Sequence, residues 1–348
     1  MMRYAKRLTF LALAVILLAG LAGSFFCFKL LTPVSSGGKW KEVQIPEGAT
    51  YRQGINILKK EGIIESEMLF LFIGRITMMD RKIRAGYYNL SSSLTPWEIF
   101  DALKKGRIIQ YAITIPGGST LEDIRVKFKY TGLLDDASWE VGYNKEFLKS
   151  LNVDAPSLEG YIYPETYNFS KGMKPEVIFS IMVQKMRDEF DEPLIKRAHE
   201  IGMSENNVLT LASIIEREAL QDKERAIISS VYHNRLKKDM KLQADPTVLY
   251  GVKKISRRIT YSDLRRDTPY NTYVIKGLPP GPVAIPGIKS IKAALYPDKT
   301  DYLFFVSRND GTHHFSKTNE EHMAAVALYQ TNNGNINEKD VAKKEPAN

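Results

Sequence analysis

The 348-residue sequence contains a single cysteine, Cys27, which lies in an apolar stretch near the N-terminus. A disulfide within the chain is therefore excluded, and so is a zinc site built on cysteines. The HExxH pattern is also absent, and the adjacent His313 and His314 would point to opposite faces of a strand, which makes them poor joint ligands. We therefore expect no metal and no cofactor.

Several other signatures are missing as well. There is no Gly-x-Ser-x-Gly motif of a serine hydrolase, and Gly117-Gly118 lacks the lysine of a phosphate-binding loop. The net charge of +9 suits an anionic partner, but the basic residues are spread along the chain and are not interleaved with aromatic residues. We therefore expect no nucleic-acid partner.

A long apolar run is present near the N-terminus. Arg3, Lys6 and Arg7 precede an uncharged stretch from Leu8 to Phe28. A helix of this length spans about 30 Å, the thickness of a bilayer core, whereas the apolar part of a signal peptide is usually only about 7–15 residues long. We predict a single uncleaved membrane helix with its N-terminus in the cytoplasm, because a basic flank stays on that side.

The chain then repeats itself. Residues 42–64 (EVQIPEGATYRQGINILKKEGII) match residues 112–134 (AITIPGGSTLEDIRVKFKYTGLL) without a gap, and Tyr88–Ser91 recurs as Tyr167–Ser170 after a longer spacing. Each copy has the pattern of a strand, a turn, a helix capped by threonine, a second strand and a second helix. The second copy is nine residues longer than the first, and the extra length coincides with the segment Leu158–Tyr167 (LEGYIYPETY).

Glu216 is the candidate acid and base. It lies in an otherwise apolar helical stretch, Ser204–Leu220, with Ala212 and Ala219 as its small neighbours on the helix. Small neighbours leave a hollow in which a carboxyl group would sit against apolar walls, a setting that favours its protonated form. Glu218 lies roughly 200° further around the helix, so the two carboxylates should not share one site. A solvated pair of surface glutamates is the alternative.

Proline-rich loops supply the candidate binding groups. Amide and hydroxyl side chains can bond sugar hydroxyl and N-acetyl groups, and rigid loops that carry them are typical of a site. Aromatic rings can stack on sugars, so the long segment of the second copy is a candidate cleft wall, with a packed loop as the alternative. The expected contacts are Gln243, Asp245, Tyr270, Asn271, Thr272, Tyr161 and Glu165.

Six motifs occur in a fixed order: LEGYIYPETY, LASIIERE, HNRL, LQADPTVLYG, YNTY and GLPPGPVAIPG. In this order they resemble the endolytic murein transglycosylases over nearly the whole chain, up to about residue 330. The resemblance implies an inner-membrane enzyme that faces outward and cleaves nascent peptidoglycan strands internally, and it matches the catalytic glutamate of the family to Glu216. The family commonly has lysine where Arg217 stands. The first copy of the repeat also resembles a LysM-like domain, a module associated with N-acetylglucosamine polymers.

The expected fold class is α+β: one N-terminal membrane helix, two LysM-like strand–helix modules and a mixed α/β catalytic domain. The predicted segments are a cytoplasmic tip and anchor (1–31), a linker (32–40), a LysM-like module (41–110), a second related module (111–200), a catalytic domain (201–330) and a disordered tail (331–348). The expected partners are peptidoglycan glycan strands and, through the family, peptidoglycan synthases.

Three functions are compatible with these residues. The first is a lytic transglycosylase that leaves 1,6-anhydro-N-acetylmuramic acid ends and terminates strand elongation. The second is a muramidase, a hydrolase that uses two carboxylates, Glu216 and Asp245. The third is a wall-binding scaffold without catalytic activity. The chemical identity of the sugar end after digestion separates the two enzymes.

Overall fold

A computed structural model describes residues 2–79, 83–251 and 259–331. It has the α+β composition expected from the sequence, with three two-stranded sheets and many helices in these ranges. The chain divides into two compact units, one formed by 1–111 with 168–173 and the other by 112–167 with the remainder. The finer segment boundaries predicted from the sequence stay predictions, and most of the predicted disordered tail, residues 332–348, lies outside the described residues.

The first unit contains the N-terminal helix and the first copy of the repeat. Its elements, in chain order, are α1 (Met2–Leu31), β1 (Trp40–Ile45), α2 (Tyr51–Lys60), α3 (Glu67–Ile76), β2 (Gly86–Ser91) and α4 (Pro96–Lys105). Strands β1 and β2 pair antiparallel, with Trp40 opposite Ser91 and Ile45 opposite Gly86.

The core of this unit lies between the sheet and its helices. Alternate residues of β1, Val43 and Ile45, point inward and are buried together with apolar residues of α2, α3 and α4. Buried Tyr51 donates its hydroxyl to the carbonyl of Phe70 at 3.0 Å, which joins α2 to α3. A side chain on Gly74 of α3 would collide with the Tyr51 ring, so glycine is required where these two helices meet.

Helix α1 contains one stretch, Phe10–Leu31, that is long and apolar enough to cross a membrane, and none of it is buried inside the unit as a hydrophobic core helix would be. Its C-terminal part nevertheless contacts the unit, because Phe26 and Leu30 are partly buried against the core just described. The segment 32–40 that follows is short and mostly exposed.

The second unit contains the second copy of the repeat and everything after it. The division of the chain falls within two strands that form the second sheet, β3 (Gln110–Thr114) and β4 (Thr166–Ser170). The helices and remaining strands are α5 (Leu121–Thr131), α6 (Asp136–Trp139), α7 (Lys145–Ser150), α8 (Pro175–Glu189), α9 (Glu192–Glu200), α10 (Glu205–Glu218), α11 (Arg225–Lys237), α12 (Asp245–Leu249), α13 (Tyr261–Leu264), α14 (Ile288–Leu295), β5 (Phe304–Ser307), β6 (His313–Ser316) and α15 (Asn319–Val326).

The repeat contains the strands and helices that its pattern predicts, together with helices that it does not predict, namely α3 in the first copy and α6 and α7 in the second. In the first copy β1 leads to α2, and in the second β3 leads to α5, and both helices begin with a capping box, from Thr50 and Thr120 respectively. The second halves match as β2–α4 and β4–α8. The spacing of Thr95, Pro96 and Glu98 predicts a capping box with proline at the first helical position, and α4 has both, whereas α8 begins at Pro175 without a side-chain cap.

The elements that follow agree in most respects with the sequence. The predicted helix at Ser204–Leu220 is α10, capped by Ser204, and the basic run that follows, whose pattern predicts a second helix, is a 3-10 turn followed by α11. Strands β5 and β6 pair antiparallel. The apolar run YLFFV at 302–306 predicts a buried strand, but every residue of β5 is only half-buried in this two-stranded sheet.

Candidate active site

Helix α10 brings Glu216 to the edge of the core. Val208 through Ile215 are all buried, so the helix is anchored over two turns by apolar contacts. Glu216 follows in the last turn, where its side chain is 14% exposed. A carboxyl group at the end of a rigid buried helix is held in a fixed place while one side of it can still be reached.

Three donors converge on one oxygen of this carboxyl group. Glu216 Oε2 accepts hydrogen bonds from the Ser290 hydroxyl at 2.7 Å, the Gly287 backbone N–H at 3.1 Å and Arg225 Nη1 at 3.2 Å. The expected apolar hollow is therefore wrong, since Ala212 and Ala219 are buried in the packed interior and the carboxyl faces polar donors. Such an arrangement fixes the orientation of the carboxyl group.

The other oxygen faces a glycine. A Cβ atom built on Gly117 would lie 2.8 Å from Glu216 Oε1, closer than side-chain atoms normally approach. A Cβ atom built on Gly287 would lie 3.5 Å from Oε2 and 3.9 Å from Pro164 Cγ. Pro164 belongs to the segment Leu158–Tyr167, so part of that candidate cleft wall lies close to Glu216.

The loop Gly277–Gly287 is hydrogen-bonded both to α10 and to the turn that contains Gly118 and Ser119. On one side it is joined to α10, because Ser213 Oγ accepts from Val283 N–H at 3.0 Å and the Asn206 amide donates to the Pro280 carbonyl at 2.9 Å. On the other side Ile285 exchanges backbone hydrogen bonds with Gly118 and Ser119, both at 2.8 Å. The loop thus fixes the turn of the second repeat copy against the helix that carries Glu216.

Arg225 is itself held in place. Its Nη1 donates to Ser290 Oγ at 2.5 Å, and its Nε donates to Asp222 at 3.0 Å. Lys289 bonds the same carboxylate, and these two cations hold the pKa of Asp222 below its usual value, the Lys289 contact having the larger effect. Arg225 and Ser290 therefore reach Glu216 as a connected pair.

Arg217 links the end of α10 to the second copy of the repeat. The residue is half-buried, and its Nη1 donates to the Gly118 carbonyl at 2.8 Å. The guanidinium thereby ties the end of α10 to the turn that faces Glu216.

Three of the predicted contact residues hold the loops together instead of facing a cleft. The Asn271 side chain is 1% exposed, and its amide donates to the carbonyls of Asp263, Leu264 and Arg266. Thr272 is fully buried and accepts from Ala244 N–H at 2.9 Å. Tyr161 is 1% exposed and bonds Asn206 at 3.3 Å, so its ring is not open to a sugar.

The remaining predicted contacts have accessible side chains. Gln243 is half-buried and accepts from Arg235 at 2.9 Å, whereas Asp245 is exposed and accepts from the Tyr273 hydroxyl at 2.7 Å. Tyr270 is half-buried, with its ring 4.6 Å from that of Tyr250. Glu165 is exposed and pairs with Lys185 at 3.6 Å. None of these four forms a hydrogen bond or an ion pair with Glu216 within the described residues.

The carboxyl groups of Glu159 and Glu218 both have a raised pKa. Glu159 is buried, accepts from Leu121 N–H at 3.1 Å and from the Tyr250 hydroxyl at 3.3 Å, and burial raises its pKa to about 8. Burial, and then the charge of Asp245, raises the pKa of Glu218 to about 8. Glu218 accepts from Tyr232 at 3.4 Å, whereas Glu216 meets a different set of donors, as the helical angle between the two glutamates predicted.

Sequence reasoning missed four residues around Glu216, namely Gly117, Arg225, Gly287 and Ser290. Two of them left a signal in the sequence. Gly117 stands where the first copy has Glu47, in IPGG against IPEG, and Gly287 is the last residue of the motif GLPPGPVAIPG. Arg225 lies nine positions after Glu216 and Ser290 lies 74 positions after it, and no motif links either of them to the glutamate.

The histidines do not form a metal site in the described ranges, where no group of three or more ligand side chains occurs. His313 Nδ1 lies 2.8 Å from a Glu224 oxygen, and the His313 N–H donates to the same carboxyl group. His314 contacts Tyr329 instead. The two rings thus have separate surroundings, as expected for neighbours on a strand.

Comparison with known proteins gives consistent matches. Residues 43–328 match the YceG-like family. The chain is 36% identical over 329 residues to the endolytic murein transglycosylase of Bacillus subtilis. The aligned region covers 89% of this chain and 91% of that protein. It is 28% identical to the endolytic murein transglycosylase of Streptococcus pneumoniae strain D39, of whose length it spans 63%. A crystal structure of a YceG-like protein of Listeria monocytogenes aligns with a TM-score of 0.57 and 35% identity, over 83% of this chain and all of that one.

Proposed function

This chain belongs to the YceG-like family, and from that premise we propose that it is an endolytic murein transglycosylase with Glu216 as its acid and base. Its substrate is the glycan strand of peptidoglycan, cleaved between N-acetylmuramic acid and N-acetylglucosamine. The observation that carries the proposal is the Glu216 carboxyl group, with three donors on Oε2 and Oε1 directed at Gly117.

The two oxygens of Glu216 have different roles in this mechanism. Oε2 is engaged by Ser290, Gly287 and Arg225, so the orientation of the carboxyl group is fixed before substrate arrives. Oε1 lies beside a residue without a side chain, which leaves room for the oxygen of a glycosidic bond. The exchangeable proton is therefore carried on Oε1.

The reaction proceeds in two steps at that oxygen. Protonated Glu216 donates its proton to the glycosidic oxygen, the bond to N-acetylmuramic acid breaks, and positive charge develops at the anomeric carbon. Glu216, now a carboxylate stabilised by Arg225 and Ser290, takes the proton of the C6 hydroxyl of the same sugar. That oxygen closes on the anomeric carbon, and because the attack is intramolecular no water has to be positioned.

The product tests this mechanism. Digestion of purified glycan strands should give 1,6-anhydro ends, which are lighter by one water than ordinary reducing ends in a mass spectrum. Glu216→Gln should keep the fold and strand binding but lose about a hundredfold to ten-thousandfold in turnover, the usual contribution of general acid–base catalysis. Ordinary reducing ends, or a fully active Glu216→Gln protein, would overturn the proposal.

The same experiments separate the alternatives. A muramidase that uses Glu216 and Asp245 would give ordinary reducing ends and would lose turnover in Asp245→Asn. A scaffold would bind strands and give no cleavage in either form. A transglycosylase gives anhydro ends and retains substantial turnover in Asp245→Asn, because the substrate supplies its own nucleophile.

We place the enzyme in the bacterial inner membrane as a single-pass protein, on the evidence of the span Phe10–Leu31 and the preceding basic residues. The N-terminus stays in the cytoplasm and the rest of the chain lies outside, where nascent strands and their synthases are found. Protease treatment of spheroplasts should digest the part after the span. A C-terminal part that stays protected while an external control protein is digested would refute this topology.

A further inference from the structure

Helix α3 of the first unit carries an exposed apolar stripe. Met68, Phe72 and Ile76 are spaced by four residues, so they line one face of the helix. Their side chains are 81%, 52% and 62% exposed, and Met78 just beyond the helix is exposed as well. The opposite face, with Phe70 and Ile73, is buried in the core. An apolar row of this size on a folded module marks a contact surface.

The stripe is continuous with the surface of α1. The Phe72 ring packs edge-to-face on the ring of Phe26, with the centroids 5.2 Å apart. Phe26 lies about 8 Å along the helix before the end of the apolar span at Leu31, at the usual rise per residue. A residue that touches Phe26 therefore lies at the depth to which interfacial helices enter the bilayer, about 5–10 Å.

Side chains near the stripe are of types that are found at the membrane–water interface. Trp97 is exposed on α4, a helix that also packs against α1, and tryptophan is enriched at membrane–water interfaces. Arg75 is exposed on α3 near the stripe and can reach anionic headgroups. Lys29, near the end of the span, can extend its charge to the same level.

We propose that the Met68–Phe72–Ile76 stripe of α3 is embedded in the outer leaflet of the membrane that α1 spans. The inference rests on the proposed membrane anchoring. It makes the first module a part of the membrane attachment, held against the lipid surface by α1 and α3 together.

The test uses full-length protein in nanodiscs that hold one copy each and contain phosphatidylglycerol and phosphatidylcholine. In a Cys27→Ser background, Met68→Cys or Ile76→Cys is labelled with a polarity-sensitive fluorophore. Asn56→Cys, at an exposed polar position of α2, is the matched control, and the natural Cys27 labelled in the wild-type chain reports insertion of α1. Unchanged thermal unfolding verifies that each labelled protein is folded.

Lipids brominated in the acyl chains should remove about half or more of the fluorescence at positions 68 and 76, as for an interfacial helix, and little at position 56. If positions 68 and 76 respond like position 56 while Cys27 is quenched, the inference fails and the anchoring stands. If Cys27 is not quenched either, the anchoring fails and the inference with it. Shielding of the stripe that appears only with two copies per disc would identify a second chain as the occupant and overturn the lipid contact.

Discussion

Gly117 lies directly against the carboxyl group of Glu216, although 99 positions separate them in the sequence. A Cβ atom built on Gly117 would lie only 2.8 Å from Glu216 Oε1. The oxygen proposed to carry the proton thus faces the turn of the second repeat copy, and the space in front of it exists because that turn has no side chain there.

Gly117→Ala should reduce turnover strongly while the protein remains folded. The methyl group would push Oε1 away from its position or fill the space needed by the glycosidic oxygen, and a displacement near 1 Å can cost about a hundredfold in rate. Release of anhydro ends from glycan strands measures the effect. Gly37→Ala is the control, because nothing lies within 4 Å of a Cβ atom at that position. Equal activity of the two variants would contradict the role of this space.

Ser290→Ala should lower kcat and leave KM nearly unchanged, because Ser290 positions Glu216 and does not contact the substrate in the proposed mechanism. A hydrogen bond to a charged group contributes about 1.5–3 kcal/mol, so we expect a loss of roughly tenfold to a hundredfold. Steady-state kinetics on isolated glycan strands give both constants. Ser229→Ala is the matched control, since Ser229 is buried and its hydroxyl has no partner in the described part of the chain. An increase in KM alone would show that Ser290 binds substrate.

Asn271→Ala should act on stability more than on chemistry. Its amide bonds three backbone carbonyls of the turn before it, and its carbonyl accepts from Tyr273 N–H at 3.0 Å. Leaving such buried groups unpaired costs about 1–3 kcal/mol each. Urea unfolding should show a lower midpoint, and activity well below that midpoint should be largely kept. A stable variant that has lost strand binding would instead restore the role first expected from the sequence.

Glu159→Gln should change how stability depends on pH. Burial raises the pKa of Glu159 from 4.5 to about 8, so the folded protein binds one more proton than the unfolded chain between these values. The free energy of unfolding therefore falls as pH rises through this window, by up to about 1.4 kcal/mol per pH unit for one group. The glutamine variant should lose that slope, because its side chain stays neutral and can still accept from Leu121 N–H.

Denaturant unfolding at several pH values between about 5 and 8 measures this slope. Glu165→Gln, a change at an exposed carboxyl group of the same segment, is the control. An unchanged slope in Glu159→Gln would show that Glu159 is ionised in the folded protein at neutral pH.

The sequence predicted the elements well where local chemistry decides them. Threonine caps at Thr50 and Thr120 and the capping-box spacing of Thr95 and Glu98 follow from local residue types, and all three threonines cap helices in the structure. Helix α10 followed from its apolar periodicity and its serine cap. These signals lie within one turn of helix, so they can be interpreted without knowledge of the fold.

The surroundings of Glu216 could not be predicted in the same way. Its apolar neighbours along the helix suggested an apolar pocket, but the donors that reach it, Arg225, Gly287 and Ser290, come from two other elements and a loop. Polarity along a helix indicates which face is buried and does not reveal what that face meets. Asn271 is a similar case, because an amide in a proline-rich loop suits a ligand and a backbone turn equally well, and only the fold shows that it bonds three backbone carbonyls.

Several of the residues that surround Glu216 lie far apart in the sequence and are therefore synthesised at different times. Gly117 and Pro164 are made before the glutamate, and Gly287 and Ser290 after it. During synthesis Glu216 therefore lacks two of its three donors, Gly287 and Ser290, until residue 290 has been added. A chain truncated before Gly287 would keep Glu216 but lack the two hydrogen bonds that Gly287 and Ser290 donate to its carboxyl group, so the orientation of the proposed acid depends on a part of the catalytic unit that is made late.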